Sequence, residues 1–303
     1  MENRGEVRDF LASRRARITP ERAGLPVSAG SRRVPGLRRG EVATLAGVSV
    51  EYYTRIERGN LRGVSDSVLQ AIAHALRLDD AERTHLFDLA HATGPGTTTR
   101  RRRARQRIRP GLQRILDAMT DTPATVHNSR LDILAANCLG YALFSDVFAD
   151  PQRPANHIRF IFLDPRSHDF YPDWQSSAND AVAVLRAEAG HDPYDQTLTN
   201  LIGELSTRSD EFRNRWAAHN VRQHRTGTKR LHHRVVGDLE LEFERLDVTA
   251  DPGLVLQAYS ADPGSSSHDA LSLLASWAAT RDQENALPTA ERTTPPLSDR
   301  HEA

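Results

Sequence analysis

Ala43 and Gly47, four residues apart in "RGEVATLAGVSVEYYTRIERG" (residues 39–59), constrain the fold of this chain more than any other feature. Two helices joined steeply by a three- or four-residue turn need a small side chain where they cross and a glycine where the turn takes positive φ. Val42, Leu45, Val48, Tyr53 and Ile56 supply a shared apolar face, and Ser49 is placed to cap the second helix. A helix-turn-helix is therefore expected. On its second helix Glu51, Thr54, Arg55 and Arg58 fall at i, i+3, i+4 and i+7, one outward stripe. Taken alone, the spacing also fits an αα-hairpin with a charged outer face.

Charge distribution separates the two readings. The chain has 303 residues and no formal net charge, with 40 basic and 40 acidic side chains. Residues 1–110 hold 22 of the basic and 12 of the acidic groups, leaving 18 and 28 for residues 111–303, so the halves carry +10 and −10. A basic half of this kind suits a polyanion, because arginines that neutralise phosphates release counterions. The N-terminal end of a helix such as the one after Ser49 fits the DNA major groove. There Arg55 can donate two bonds to guanine, Glu51 can accept from a cytosine amine, and Thr54 and Val50 can touch a thymine methyl, with Ser49 at the helix start as a further DNA contact. Arg38, Arg39 and Arg58 are expected on phosphates, which fix register without reading sequence.

The basic half also shows its limits. "VRDFLASRRARI" places Val7, Phe10, Leu11 and Arg14 at helical spacing. A loop rich in proline and glycine follows, then four short helical patterns up to His91, with Ser65 and Asp79 as caps. Gly94–Gly96 closes this block, and "TTTRRRRARQRIR" reads either as a second phosphate contact or as an exposed hinge.

The acidic half reads as α+β. "ATVHNSRLDILAAN" predicts a hairpin turning at Asn128, Ser129 and Arg130. "VVGDLELEFERLDV" alternates Leu239, Leu241 and Phe243, then Leu246, with acids between, a one-sided strand, and "GLVLQAYSAD" is another. Helices are expected around 174–189, 194–206 and 210–218. The one cysteine, Cys138, is read as a small buried residue.

At this point "VPGLRRGEVATLAGVSVEYYTRIERG" resembles the Cro/repressor-type (XRE) helix-turn-helix, in the variant found in MmyB-like transcription regulators. "HDFYPDWQSSANDAVAVLRAEAG" and "FRNRWAAHNVRQHRTGTKRLHHRVVGDLELEFERL" resemble the ligand-binding domain of those regulators. The resemblance implies an all-α helix-turn-helix N-terminal domain followed by an α+β PAS-like C-terminal domain that binds a small apolar, fatty-acid-like molecule. Phe170, Tyr171, Trp174, Trp216 and Phe243 are the rings near those motifs, with His219, Arg222 and Lys229 as polar groups for a head-group. The same rings also fit an ordinary core.

Catalysis finds no support in the sequence. Lys229 is the one lysine, and Ser206 and Ser209 stand in no nucleophile motif. His219, His224, His232 and His233 lack acid or cysteine partners at metal-ligand spacing, and no glycine-rich phosphate loop follows a strand. No cofactor is implied. "MENRGEVRDF" has acids where a signal peptide needs an apolar stretch, and no run of 18 apolar residues occurs, so a cytoplasmic protein without membrane partners is expected. The expected organisation is a DNA-binding domain over 1–96, a basic linker over 97–107, a ligand-binding domain over 108–280 and a disordered tail over 281–303. The expected partners are double-stranded operator DNA, the apolar ligand and a second copy of the chain; a C-terminal domain that only dimerises is the alternative.

Overall fold

Val7, Phe10, Leu11 and Arg14 lie together on the buried side of α1 (Asn3–Arg17), as their spacing requires. The computed structural model describes residues 3–25, 34, 36–91, 108–192, 194–218 and 226–286. After α1 come α2 (Arg39–Leu45), α3 (Val50–Glu57), α4 (Asp66–Ala75) and α5 (Asp80–His91), matching the four expected patterns. Each start has a local cause. The Glu41 carboxylate accepts the Arg38 backbone N–H at 2.7 Å, and Ser49 and Ser65 accept the amides of Tyr52 and Val68. Asp79 and Glu82 accept each other's backbone N–H at 2.8 and 3.2 Å. Their apolar faces close on one core built from Phe10, Leu11, Leu37, Val42, Tyr53, Ile56, Leu69, Ile72, Leu86 and their neighbours.

The second half is α+β. Helix α6 (Pro110–Asp117) leads into the hairpin β1 (Ala124–Asn128) and β2 (Asp132–Ala136), which turns where Asn128–Arg130 predicted it. Short helices α7 (Cys138–Leu143) and α8 (Ser145–Phe148), strand β3 (Ala155–Asn156), and α9 (His157–Leu163) and α10 (Ser167–Phe170) follow. Three longer helices, α11 (Trp174–His191), α12 (Gln196–Arg208) and α13 (Asp210–Ala217), match the three expected. The chain then forms β4 (Thr226–His233), β5 (Gly237–Asp247) and β6 (Leu254–Ser260), and ends in α14 (Ser266–Ala286).

All six strands pair antiparallel in the order β3-β2-β1-β6-β5-β4. Asn137 locks the hairpin to α7: its Oδ1 accepts from Ala124 N and Gly140 N, and its Nδ2 donates to the carbonyls of Met119 and Thr122. One sheet face packs on α6 through Leu112, Leu116, Val126 and Leu256. The opposite face carries Leu239, Leu241, Phe243 and Tyr259 into the larger core under α7–α14.

Several expectations need correction. Cys138 is exposed, because it opens α7 on the solvent side. Leu246 is 54% exposed, since the period-2 pleat turns it to the face opposite Phe243. Residues 281–286 continue α14 instead of belonging to a disordered tail. Strands β3 and β4 and helices α6–α10 and α14 have no counterpart among the sequence patterns. The linker at 97–107 and the tail from 287 lie outside the described residues.

Candidate functional site

The two helices α2 and α3 meet as the small residues demand. Ala43 is buried at the crossing, and Gly47 adopts φ +65°, the left-handed conformation that glycine tolerates. Tyr53 and Ile56 are fully buried behind α3, while Glu51, Arg55 and Arg58 are exposed and Thr54 is half-buried. The stripe lines an open cleft of ≈ 490 Å³ formed by Arg4, Val50, Glu51, Thr54, Arg55, Arg58 and Asn60. Three arginines around one carboxylate make it electropositive. The Arg55 guanidinium sits over the Tyr52 ring at 4.9 Å, which limits the rotamers it must lose on binding.

Five of the eight expected contact residues, Val50, Glu51, Thr54, Arg55 and Arg58, are thus gathered in one cleft. The other three, Arg38, Arg39 and Ser49, do not line it; Ser49 is engaged as the cap of α3. Arg39 is tethered to Glu57, whose Oε1 accepts from its Nε and Nη2 at 3.2 and 3.1 Å. Arg15 reaches the same carboxylate with two bonds of 3.0 Å and gives a third to the Leu37 carbonyl. Glu57 is only 1% exposed. Burial opposes its charge, but the hydrogen bonds and charges of Arg15 and Arg39 prevail and hold the carboxyl below its ordinary value. The clamp fixes α1, α2 and α3 relative to one another.

Arg4 and Asn60 escaped sequence reasoning. Arg4 comes from the first turn of α1, far along the chain from the stripe, and its backbone lies against Gly59. A Cβ on Gly59, which has φ +86°, would stand 2.6 Å from Arg4 Cα. No local pattern predicts that approach.

The rings of the second half divide into two groups. Phe170 and Tyr171 join Phe144, Phe160, Tyr259 and Phe243 in a chain of contacts with centroid separations of 4.9–6.4 Å. Trp174 stacks on His168, donates its indole N–H to the Ile161 carbonyl at 3.0 Å, and meets Phe162. Trp216, expected beside the others, lies at the far end, stacked on Phe212 and under Arg186. Lys229 bonds Asp180 of α11 at 3.0 Å with its Nζ 6.0 Å from the Phe243 centroid. His219 and Arg222 fall outside the described residues.

Beside the ring cluster is a polar group that sequence reasoning missed: His127, His157, Gln257 and the hydroxyls of Tyr171 and Tyr259. Burial lowers His127 to about 4 and His157 to about 3, and it raises both tyrosines. His127 is therefore neutral, with one N–H to give. Its Nδ1 lies 3.2 Å from the Asn128 carbonyl and its Nε2 3.1 Å from Gln257 Oε1, two acceptors that share that one proton between them. The Gln257 Nε2 donates to the Tyr259 hydroxyl at 2.8 Å. A smaller cleft of ≈ 100 Å³ opens beside α9, between Asn156, Arg159, Asp164 and Arg208. Among the described aromatic rings, it touches Phe160.

The comparisons with known proteins agree with this division. A helix-turn-helix domain family matches residues 7–86. The MmyB-like transcription regulator ligand-binding domain matches residues 108–274, more than half of the chain. The chain belongs to the MmyB-like transcription regulators. No curated protein matches it. This regulator thus joins a DNA-binding domain to a ligand-binding domain, and neither family is enzymatic. Among the described residues no helix is long and apolar enough to cross a membrane, and no group of three or more His, Cys, Asp or Glu is placed to hold a metal ion.

Proposed function

We propose that this regulator is a cytoplasmic, XRE-type operator-binding protein that acts as a homodimer and responds to a small apolar, fatty-acid-like ligand in its C-terminal domain. The observation that carries the DNA half is the cleft in which Val50, Glu51, Thr54 and Arg55 stand together on the exposed face of a capped helix. Arg55 reads a base, and Arg38, Arg39 and Arg58 hold phosphates, with Arg4 and Asn60 as further contacts. Arg55→Ala should weaken binding to the specific duplex by about 1–3 kcal/mol and hardly change binding to a scrambled one. Arg38→Ala should weaken both alike. Titrations of both variants on both duplexes at fixed salt decide the matter, and equal losses for Arg55→Ala would remove its base-reading role.

Support for the ligand half comes from the aromatic chain around Phe170, Tyr171 and Phe243, with neutral hydrogen-bonding groups at one side. Apolar walls with few polar groups suit a lipid-like molecule. Palmitate below its micelle concentration should raise the melting temperature, because a ligand of the folded state stabilises it by about 2.7 kcal/mol at one hundred times Kd. Phe243→Ala should abolish that gain. If neither palmitate nor shorter acids stabilise the protein, the C-terminal domain is a dimerisation module.

A further inference from the structure

Helix α11 belongs to the ligand-binding domain, yet its last turns are built into the DNA-binding domain. Ala178, Ala181, Val182 and Leu185 face the C-terminal core, and Asp180 holds Lys229 beside Phe243. One turn on, Arg186 is fully buried. Its guanidinium donates to the Glu6 carboxylate of α1 and to the Trp216 carbonyl, and it lies 4.1 Å over the Trp216 ring. Ala187 packs on the N-terminal core. Gly190 faces His85 of α5 so closely that a Cβ there would stand 2.5 Å from the imidazole. These contacts are not a surface ion pair: a buried arginine paired with a carboxylate is costly to break, because the surviving charge stays in the interior.

Glu6 also connects this junction to the DNA cleft. It is two residues from Arg4, and at about 100° per residue the two side chains leave opposite sides of the same helical turn. Arg4 lines the cleft with Arg55 and Arg58, its backbone seated on Gly59, while Glu6 holds Arg186. A shift of α11 must therefore move either the Arg186 contact or the turn that carries Arg4.

We propose that Arg186 is a positioning residue for DNA recognition: by holding Glu6 it fixes the first turn of α1, and so sets Arg4 in the cleft according to the state of α11. The proposal rests on the DNA-contacting role of the cleft.

The test uses the full chain and a duplex selected from random sequences by the unaltered protein. Arg186→Met keeps an unbranched side chain over Trp216 and removes the charge; Glu6→Gln attacks the same contact from α1. Each should weaken operator binding about tenfold when Arg4 is present and less than twofold in an Arg4→Ala background, a coupling that a double-mutant cycle isolates. Amide exchange over residues 4–10 should also quicken in both variants, with α12 unchanged. A merely structural role would weaken binding equally in the two backgrounds. Equal losses, or unchanged binding and exchange, would overturn the role of Arg186 and leave the DNA reading intact. An unaltered chain that selects no duplex would overturn both.

Discussion

Replacing Glu57 with alanine should destabilise the N-terminal domain by about 3–5 kcal/mol, the usual cost of removing one partner from a buried ion-pair network. Two arginines converge on that carboxylate, and Arg15 is itself only 17% exposed, so the variant leaves a cation without a counter-charge beside Tyr53. Burial and the charge of Glu57 already raise the Tyr53 phenol, which therefore cannot ionise to replace the carboxylate. Arg39→Ala should cost far less, since its side chain is 48% exposed and Arg15 still satisfies Glu57. Urea unfolding followed by amide exchange in α2 and α3 separates the N-terminal domain from the rest of the chain. Unchanged protection in Glu57→Ala would show that the clamp is not structural.

That carboxylate also marks where sequence reading stops. Val42, Tyr53 and Ile56 announce the inner face of the helix pair because helical period and burial coincide there. Glu57 continues the same face and is just as buried, but a charged residue at the end of a helix reads as solvated until its partners on α1 and α2 are known. Arg186 hides for the same reason. Its anionic partner lies 180 residues away, beyond any local window. Strand β4, "TGTKRLHH", shows no apolar alternation because its inward positions, Gly227, Lys229, Leu231 and His233, include one large apolar side chain at a sheet edge, so register with β5 defines it. The hairpin at Asn128–Arg130 was legible because turn chemistry and flanking apolar runs are both local. In the ligand-binding half the rings are visible in the sequence, but their grouping is not. Trp216 is near the motifs in sequence and away from Phe243 in space, because α13 carries it to the junction with α1.

Acidification should unfold this protein well before its carboxylates are protonated. His85, His127 and His157 are buried neutral, lowered to about 4, about 4 and about 3 from an ordinary 6.5. Burial is the main cause in each case. At His85, Glu6 and Asp88 favour protonation while Arg186 and Arg14 oppose it; Arg245 faces His127, and His127 and Lys229 face His157. Between pH 6.5 and 4.5 the unfolded rings bind protons that the folded ones refuse, so stability is fully present above about pH 6.5 and falls as pH drops. At about 1.4 kcal/mol per pH unit, each histidine removes about 2–3 kcal/mol across that window. His127 and His157 both belong to the C-terminal domain, so it should lose on the order of 5 kcal/mol, a large part of the roughly 5–15 kcal/mol available to a domain. The lowered carboxyls of Glu57, Asp164 and Glu204 act only at lower pH, which leaves this window to the histidines. Urea midpoints at half-unit steps from pH 7.5 to 4.5 measure the slope. His157→Phe, which keeps a ring against Phe144, should flatten the C-terminal slope by up to one proton and raise stability at pH 5 relative to pH 7. An unchanged slope in that variant would mean that His157 is protonated in the folded protein, and that the polar side of the ring cluster carries a charge.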